Sequence, residues 1–251
     1  MLEAVQLTKR YSSLPAVQDL SFRLQPGQVL GCLGPNGSGK STTVKMLTGL
    51  LEPSRGVVRF NGRTIQEDLA SYRMHLGYVP EEAHLYPYLT GWEYLEMVGT
   101  LRGMSRDRMY LKIDSMLQLF SLHVARHASI GTYSKGMRQR ILLIAAIMHD
   151  PDIFIFDEPL SGLDVKASEN LLGVFRLIVD QSDPPVSLIL VEHDVAAVLS
   201  LSDTVFVLDF GERIAAGTPE QVRNDPAVRA AYLGDSEPAG RTSVPTKAPP
   251  A

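Results

Sequence analysis

Residues Gly34-Pro35-Asn36-Gly37-Ser38-Gly39-Lys40-Ser41 set glycines, a lysine and a hydroxyl at the spacing of a loop that cradles phosphates. Gly34, Gly37 and Gly39 permit backbone conformations and close approaches that a Cβ would block. Successive N–H groups can then converge on phosphate oxygens at a helix N-terminus. Lys40 adds a point charge, and Ser41 puts a hydroxyl where a magnesium ion bridging the outer phosphates needs an oxygen ligand. The flanks agree with this reading. Val29-Leu30-Gly31-Cys32-Leu33 is a short apolar run suited to a buried strand, and Thr42 to Leu50 is helix-compatible sequence ending before Glu52-Pro53. The expectation is a strand, a phosphate loop and a helix that bind a nucleoside triphosphate.

Outward from this loop, strands are predicted over Leu2–Thr8, Val17–Leu24, Gln28–Leu33 and Gly56–Phe60, with Asn61-Gly62 as a hairpin turn. From Thr90 to Phe120 the apolar period becomes helical, and the Met and aromatic stripe there reads as core. A further helix runs from Ser134 to Met148, with Ile141 to Met148 as its apolar side. Ile153–Phe156 and Val186–Val191 are continuous apolar strands of the kind buried on both faces of a parallel sheet. A helix over Val165–Asp180 between them makes a parallel crossover unit. Thr204–Leu208 and Arg213–Ala216 pair around Asp209-Phe210-Gly211, and short helices fill Pro219 to Leu233. The fold class is α/β, with a domain over residues 1–234, a helical insert at about 82–148, and a disordered tail predicted for 235–251, where Pro, Ala, Ser, Thr and Gly dominate.

A chain of 251 residues with 45% hydrophobic content can bury a large core. Its formal charge of −4 gives no electrostatic reason to expect nucleic acid as a partner. No apolar stretch approaches the length of a membrane span, the N-terminus lacks the basic-then-apolar layout of a secretory signal, and a single cysteine excludes an internal disulfide framework. Cytosolic residence is expected, with Cys32 a small buried hydrophobe rather than a reactive thiol.

A triphosphatase needs a carboxylate near the metal, and Asp157-Glu158 ends an apolar strand where side chains emerge at the sheet's carboxyl edge. Asp157 suits the ion, and Glu158 can orient and deprotonate the attacking water; an ordinary polar turn is the alternative. Ser134 can cap the helix that follows it, leaving the Gly136 amide and the positive dipole end facing outward, although serine is a common cap. His193 follows the second buried strand, emerges at the same edge, and can touch the terminal phosphate; otherwise it is a satisfied polar group.

In this order, Tyr11, the phosphate loop, Gly77-Tyr78-Val79-Pro80-Glu81, Tyr133 to Met137, Ile153 to Glu158, Ser161-Gly162-Leu163-Asp164 and His193 resemble the ATP-binding cassette ATPases over roughly residues 3 to 233. The resemblance implies a P-loop NTPase cassette with a mixed β core, an antiparallel β subdomain and an α-helical subdomain. It implies ATP and Mg2+ as cofactors and a head-to-tail pair of cassettes, homo- or heterodimeric. Tyr11 would stack on adenine, and Gly34, Pro35, Asn36, Gly37, Ser38, Gly39, Lys40, Ser41 and Thr42 would hold phosphate. Ser41, Asp157 and Glu81 would serve the metal. Glu158 would be the catalytic base, assisted by His193 and Lys40. Ser134 and Gly136 would reach the partner's nucleotide, and Asp164 would belong to the loop linking the two sites.

Two departures stand out: Tyr133-Ser134-Lys135-Gly136-Met137 replaces the usual Leu-Ser-Gly-Gly-Gln, and Glu81 replaces a glutamine that donates an amide hydrogen bond. Both resemble cassettes that pair with type-2 exporter-like permeases, whereas the Asn224-Asp225-Pro226 to Tyr232-Leu233-Gly234 ending resembles those of amino-acid uptake systems. The resemblance implies an ATP-hydrolysing subunit on the cytoplasmic face of the cell membrane, driving separate permease subunits. The apolar, aromatic Ala83 to Leu89 loop is a candidate docking groove, the alternative being that Leu85 and Tyr88 pack down on the insert. A soluble cassette protein acting on ribosomes or nucleic acid is the alternative function, and a P-loop kinase a more distant one.

Overall fold

The computed structural model describes residues 1–82 and 84–233. The chain opens with β1 (Leu2–Arg10), β2 (Pro15–Leu24) and β3 (Val29–Leu33), then α1 (Lys40–Leu47), β4 (Arg55–Phe60) and β5 (Arg63–Thr64). Next come α2 (Leu69–Met74), β6 (Leu76–Val79) and the helices α3 (Gly91–Leu101), α4 (Arg106–Leu119) and α5 (Lys135–Ile147). The last part alternates β7 (Ile153–Asp157), α6 (Val165–Gln181), β8 (Ser187–Val191) and α7 (Val195–Leu201). It closes with β9 (Thr204–Asp209), β10 (Glu212–Gly217), α8 (Pro219–Asn224) and α9 (Pro226–Leu233).

Two sheets result. One is antiparallel in the order β2-β1-β4-β5; the other runs β10-β9-β3-β8-β7-β6, parallel except where β9 meets β10. The strands β3, β7 and β8 are buried along their whole length, as their unbroken apolar sequences require. Side-chain alternation divides the core. Leu30, Cys32, Ile153, Ile155, Ile189 and Val191 pack with α1 and the antiparallel sheet, while Val29, Leu33, Phe154, Phe156, Leu188 and Leu190 pack with the helices of the opposite face. Phe22 stacks on Phe206 with ring centroids 5.2 Å apart, joining the sheets, and Phe175 of α6 meets Phe156 at 4.7 Å.

The predicted crossover is present, β7 and β8 being parallel neighbours on either side of α6 in sequence. Asn61 and Gly62 adopt left-handed φ of 49° and 82°, forming the expected hairpin turn between β4 and β5. Cys32 is buried, as expected. One expectation is corrected: Ile141 to Met148 is not one side of a helix, since every residue of it is buried. The helix α5 lies between α3 and α4 on one side and β6 on the other, so its Ile141–Ile147 part meets water on no face, while Lys135 at its start is exposed. The predicted tail over 235–251 lies outside the described residues. Among the described residues, no helix is long and apolar enough to cross a membrane.

Candidate nucleotide-binding and hydrolysis site

The strand order β3-β8-β7 brings three carboxyl ends to one edge of the sheet, so the loop after β3, the end of β7 and the segment after β8 are neighbours. Val191 at the end of β8 pairs with Cys32 on one side and Asp157 on the other.

The phosphate loop is held from below. A Cβ on Gly34 would lie 2.2 Å from Ser38 Oγ and 2.5 Å from the Leu208 carbonyl, so only glycine lets the chain turn there. Gly39, at φ 104°, precedes α1, which starts with no side-chain cap. The Gly211 amide donates to Ser38 O at 3.0 Å and Gln18 N donates to Gly211 O at 2.8 Å, splinting the loop to β2 through the β9–β10 turn. Lys40 is buried, and its ammonium donates to the carbonyls of Gly34 at 2.7 Å and Pro35 at 3.2 Å. An anion above the loop would compete for those donors.

A cavity of about 660 Å³ opens over this loop. Gly34, Pro35, Asn36, Gly37, Gly39, Lys40, Ser41 and Thr42 line one side, Glu81, Glu158 and His193 another, and Ala16, Ala231 and Tyr232 complete the wall. Ser38 lies beneath the surface, 2% exposed. Asp157 also sits behind the wall, with Oδ1 buried and lacking any hydrogen-bond partner among the described residues. Burial, then the charges of Glu81 and Glu158, push its carboxyl up to about 6, against the pull of Lys40 and Lys45. An orphaned oxygen among carboxylates is one that a cation would satisfy, and it and the Ser41 hydroxyl are hard oxygen donors of the type that suits magnesium. Among the described residues, no group of three or more His, Cys, Asp or Glu side chains is arranged to hold a metal unaided. The phosphates themselves would provide the remaining ligands.

Glu158 departs from the strand in a left-handed conformation, φ 49°, uncommon for a residue with a side chain and characteristic of functional turns. Its amide donates to Val191 O at 2.8 Å, and its carboxylate Oε2 lies 3.5 Å from His193 Nδ1. The base and the histidine expected from sequence therefore meet. Beside them is Glu192, which sequence reading passed over as a flanking residue. Burial pushes its carboxyl up to about 7, while the Leu160 amide and His193 oppose the rise and Glu158 adds to it. A charged residue directly after an apolar strand was the available signal. Ala231 and Tyr232 were missed because only tertiary folding carries α9 to this cavity.

Other expected residues lie elsewhere. Tyr11 is 64% exposed and does not line the cavity. Ser134 caps α5 by accepting from Met137 N at 3.2 Å, and Asp164 caps α6 by accepting from Ala167 N at 2.8 Å. Neither lines the cavity, nor does Gly136. Instead Lys135 Nζ reaches Ser161 Oγ at 3.1 Å and Gly136 faces Leu163, so the Ser134–Gly136 and Ser161–Asp164 segments form a second patch.

Residues 17–161, from β2 through the Asp157-Glu158 turn, match the family model described as ABC transporter. The chain belongs to the ABC transporter ATP-binding family. The cassette is accordingly an ATP-binding and ATP-hydrolysing subunit of an ABC transporter. Residues 212–238 match a second model, described as branched-chain amino acid ATP-binding cassette transporter, in agreement with the resemblance of that ending. The cassette is 32% identical to the ABC-type transporter ATP-binding protein EcsA of Bacillus subtilis (strain 168) over 94% of either chain. It is 35% identical to the ABC transporter ATP-binding protein NatA of the same organism, over 82% of this chain and 83% of that one. A solved ATP-binding subunit of an ABC transporter superposes with a TM-score of 0.82 at 30% identity, covering 93% of the cassette and 96% of that chain.

Proposed function

We propose that two copies of the cassette close head to tail around two magnesium–ATP complexes and, in reopening, drive separate transmembrane permease subunits from the cytoplasmic side. The observation that carries this reading is the division of the site. The loop over residues 34–42, Glu81, Glu158 and His193 share one cavity, while Ser134, Gly136 and Asp164 sit at a patch that has no part in it. A helix start with a positive dipole end, lying outside this cavity, suits an anion brought from elsewhere, and another copy's nucleotide is such an anion. A dimeric ATP-binding cassette solved in a post-hydrolysis state with ADP and Pi shares the fold, with a TM-score of 0.79 at 22% identity, and supports the pairing by analogy alone.

In this reading Lys40 exchanges its two loop carbonyls for phosphate oxygens, and Tyr11 stacks on adenine. Ser41, Asp157 and Glu81 hold magnesium, which when bound neutralises charge on the outer phosphates. Glu158 accepts the proton of the attacking water, and His193 steadies the terminal phosphate. Permease docking is assigned to the segment after Glu81, where Tyr86 is 58% and Tyr88 94% exposed, although Leu85 packs against the core; Ala83 lies outside the described residues. The test is Glu158→Gln, which should slow turnover by roughly 100-fold or more and let ATP with magnesium trap a dimer in light scattering. A variant that stays monomeric with ATP at high protein concentration refutes the closing pair.

A further inference from the structure

Glu192 leaves the end of β8 directly before His193, yet its side chain turns inward and is only 1% exposed, whereas that of His193 is 60% exposed. A carboxylate is expensive to bury unless its oxygens are satisfied. One oxygen, Oε1, accepts the Leu160 amide at 2.8 Å, two residues beyond Glu158. The other, Oε2, lies 3.6 Å from His193 Nδ1, the same nitrogen that stands 3.5 Å from Glu158 Oε2. Two carboxylates from adjacent strand ends thus share one imidazole nitrogen, and one of them also holds the turn that carries the other. Glu192 itself does not line the nucleotide cavity.

We propose that Glu192 is a positioning residue for hydrolysis. By holding the Leu160 amide it fixes the turn from Glu158 to Leu160, and by its second oxygen, 3.6 Å from Nδ1, it sets where the His193 ring stands relative to Glu158. The inference rests on the reading of Glu158 as base and His193 as phosphate contact. Its two tasks separate chemically. Glu192→Gln keeps an oxygen for the Leu160 amide but puts an amide NH2 in place of the oxygen facing His193; Glu192→Ala loses both.

The experiment is steady-state ATP hydrolysis by the full chain for wild type, Glu192→Gln, Glu192→Ala, His193→Ala and the Glu192→Gln/His193→Ala pair, with magnesium–ATP affinity measured in parallel. Glu192→Gln is expected to lower kcat about tenfold with KM within about twofold of wild type, since a small misplacement of catalytic groups costs rate rather than affinity. Glu192→Ala should lose more. In the His193→Ala background, Glu192→Gln should change the residual kcat by less than about twofold, because the side chain it acts through is gone. Wild-type kcat in Glu192→Gln, a raised KM with kcat intact, or losses that multiply in the double variant would each overturn the inference. The underlying reading has its own control: His193→Ala that hydrolyses like wild type removes both, whereas a slow His193→Ala with multiplying losses removes the role of Glu192 alone.

Discussion

Asp157→Asn should stabilise the nucleotide-free cassette while disabling it. The carboxyl stands at about 6 in the fold against 3.8 for the free side chain, chiefly because burial, followed by Glu81 and Glu158, opposes its ionisation. Keeping it ionised in the fold therefore costs about 3 kcal/mol. This is a raised acid, so the penalty is absent below the unfolded value, grows as pH rises from about 4 to about 6, and is complete above that. An asparagine escapes the charge cost but leaves a buried polar group without a partner, as Oδ1 already is, at about 1–3 kcal/mol. The net gain above pH 7 is about 0–2 kcal/mol, up to roughly 8 °C in Tm for a chain of this size. The pH course is the stricter test, because the amide cost does not titrate. Thermal melts of both proteins without nucleotide, from pH 4 to pH 8, should show the Asn-minus-Asp gap widening by about 3 kcal/mol across pH 4 to 6 and flat above pH 7. Nucleotide affinity should lose its magnesium dependence in the variant. A gap that does not vary with pH, or one that narrows as pH rises, refutes the electrostatic account of this strand end.

Lys40→Ala should raise the dissociation constant for ATP about 100-fold in titration calorimetry, through loss of the charge on the phosphates, and shift Tm by less than about 3 °C. Its two hydrogen bonds in the fold go to loop carbonyls that water can satisfy; a loss of affinity under about threefold refutes the assignment. Gly39→Ala should be worse for the fold, because φ 104° is strained for alanine and its Cβ would stand 2.5 Å from the Ala16 carbonyl. A Tm drop of at least about 4 °C is expected from strain of about 1–3 kcal/mol plus displacement of β2, and an unchanged melt counts against the tight loop.

The phosphate loop and the strand ends were readable from sequence because their signals are local. A glycine spacing states a backbone requirement, and an unbroken apolar run such as Ile153–Phe156 states burial on both faces. The hairpin at Asn61-Gly62 is readable for the same reason. The helices α2 and α7 and the strand β6 escaped, being six, seven and four residues long, too short for a period to declare itself. The burial of Ile141–Ile147 of α5 on every side depends on what packs against it rather than on its own pattern. Glu192 is the instructive case at the site. Nothing in Leu190-Val191-Glu192-His193-Asp194 tells which of the two polar side chains turns inward; that follows from the Leu160 amide, 32 residues earlier in the chain.

The strand order makes β8 the common neighbour of the two segments that would grip the nucleotide. Val191 pairs with Cys32, two residues before Gly34, and with Asp157, so any movement of the phosphate loop relative to the Asp157 carboxylate is felt across this strand. The next two residues are Glu192 and His193. From Glu192 the contacts run to the Leu160 amide, then one residue on to Ser161, which Lys135 of α5 holds at 3.1 Å. A continuous set of packed and hydrogen-bonded groups therefore joins the loop under the phosphates to the helix that opens the second patch. In a closed pair that patch would face another copy's nucleotide. The state of one phosphate site would then bear on the other through this turn, and Glu192, buried and doubly engaged, is the piece of it least able to move alone.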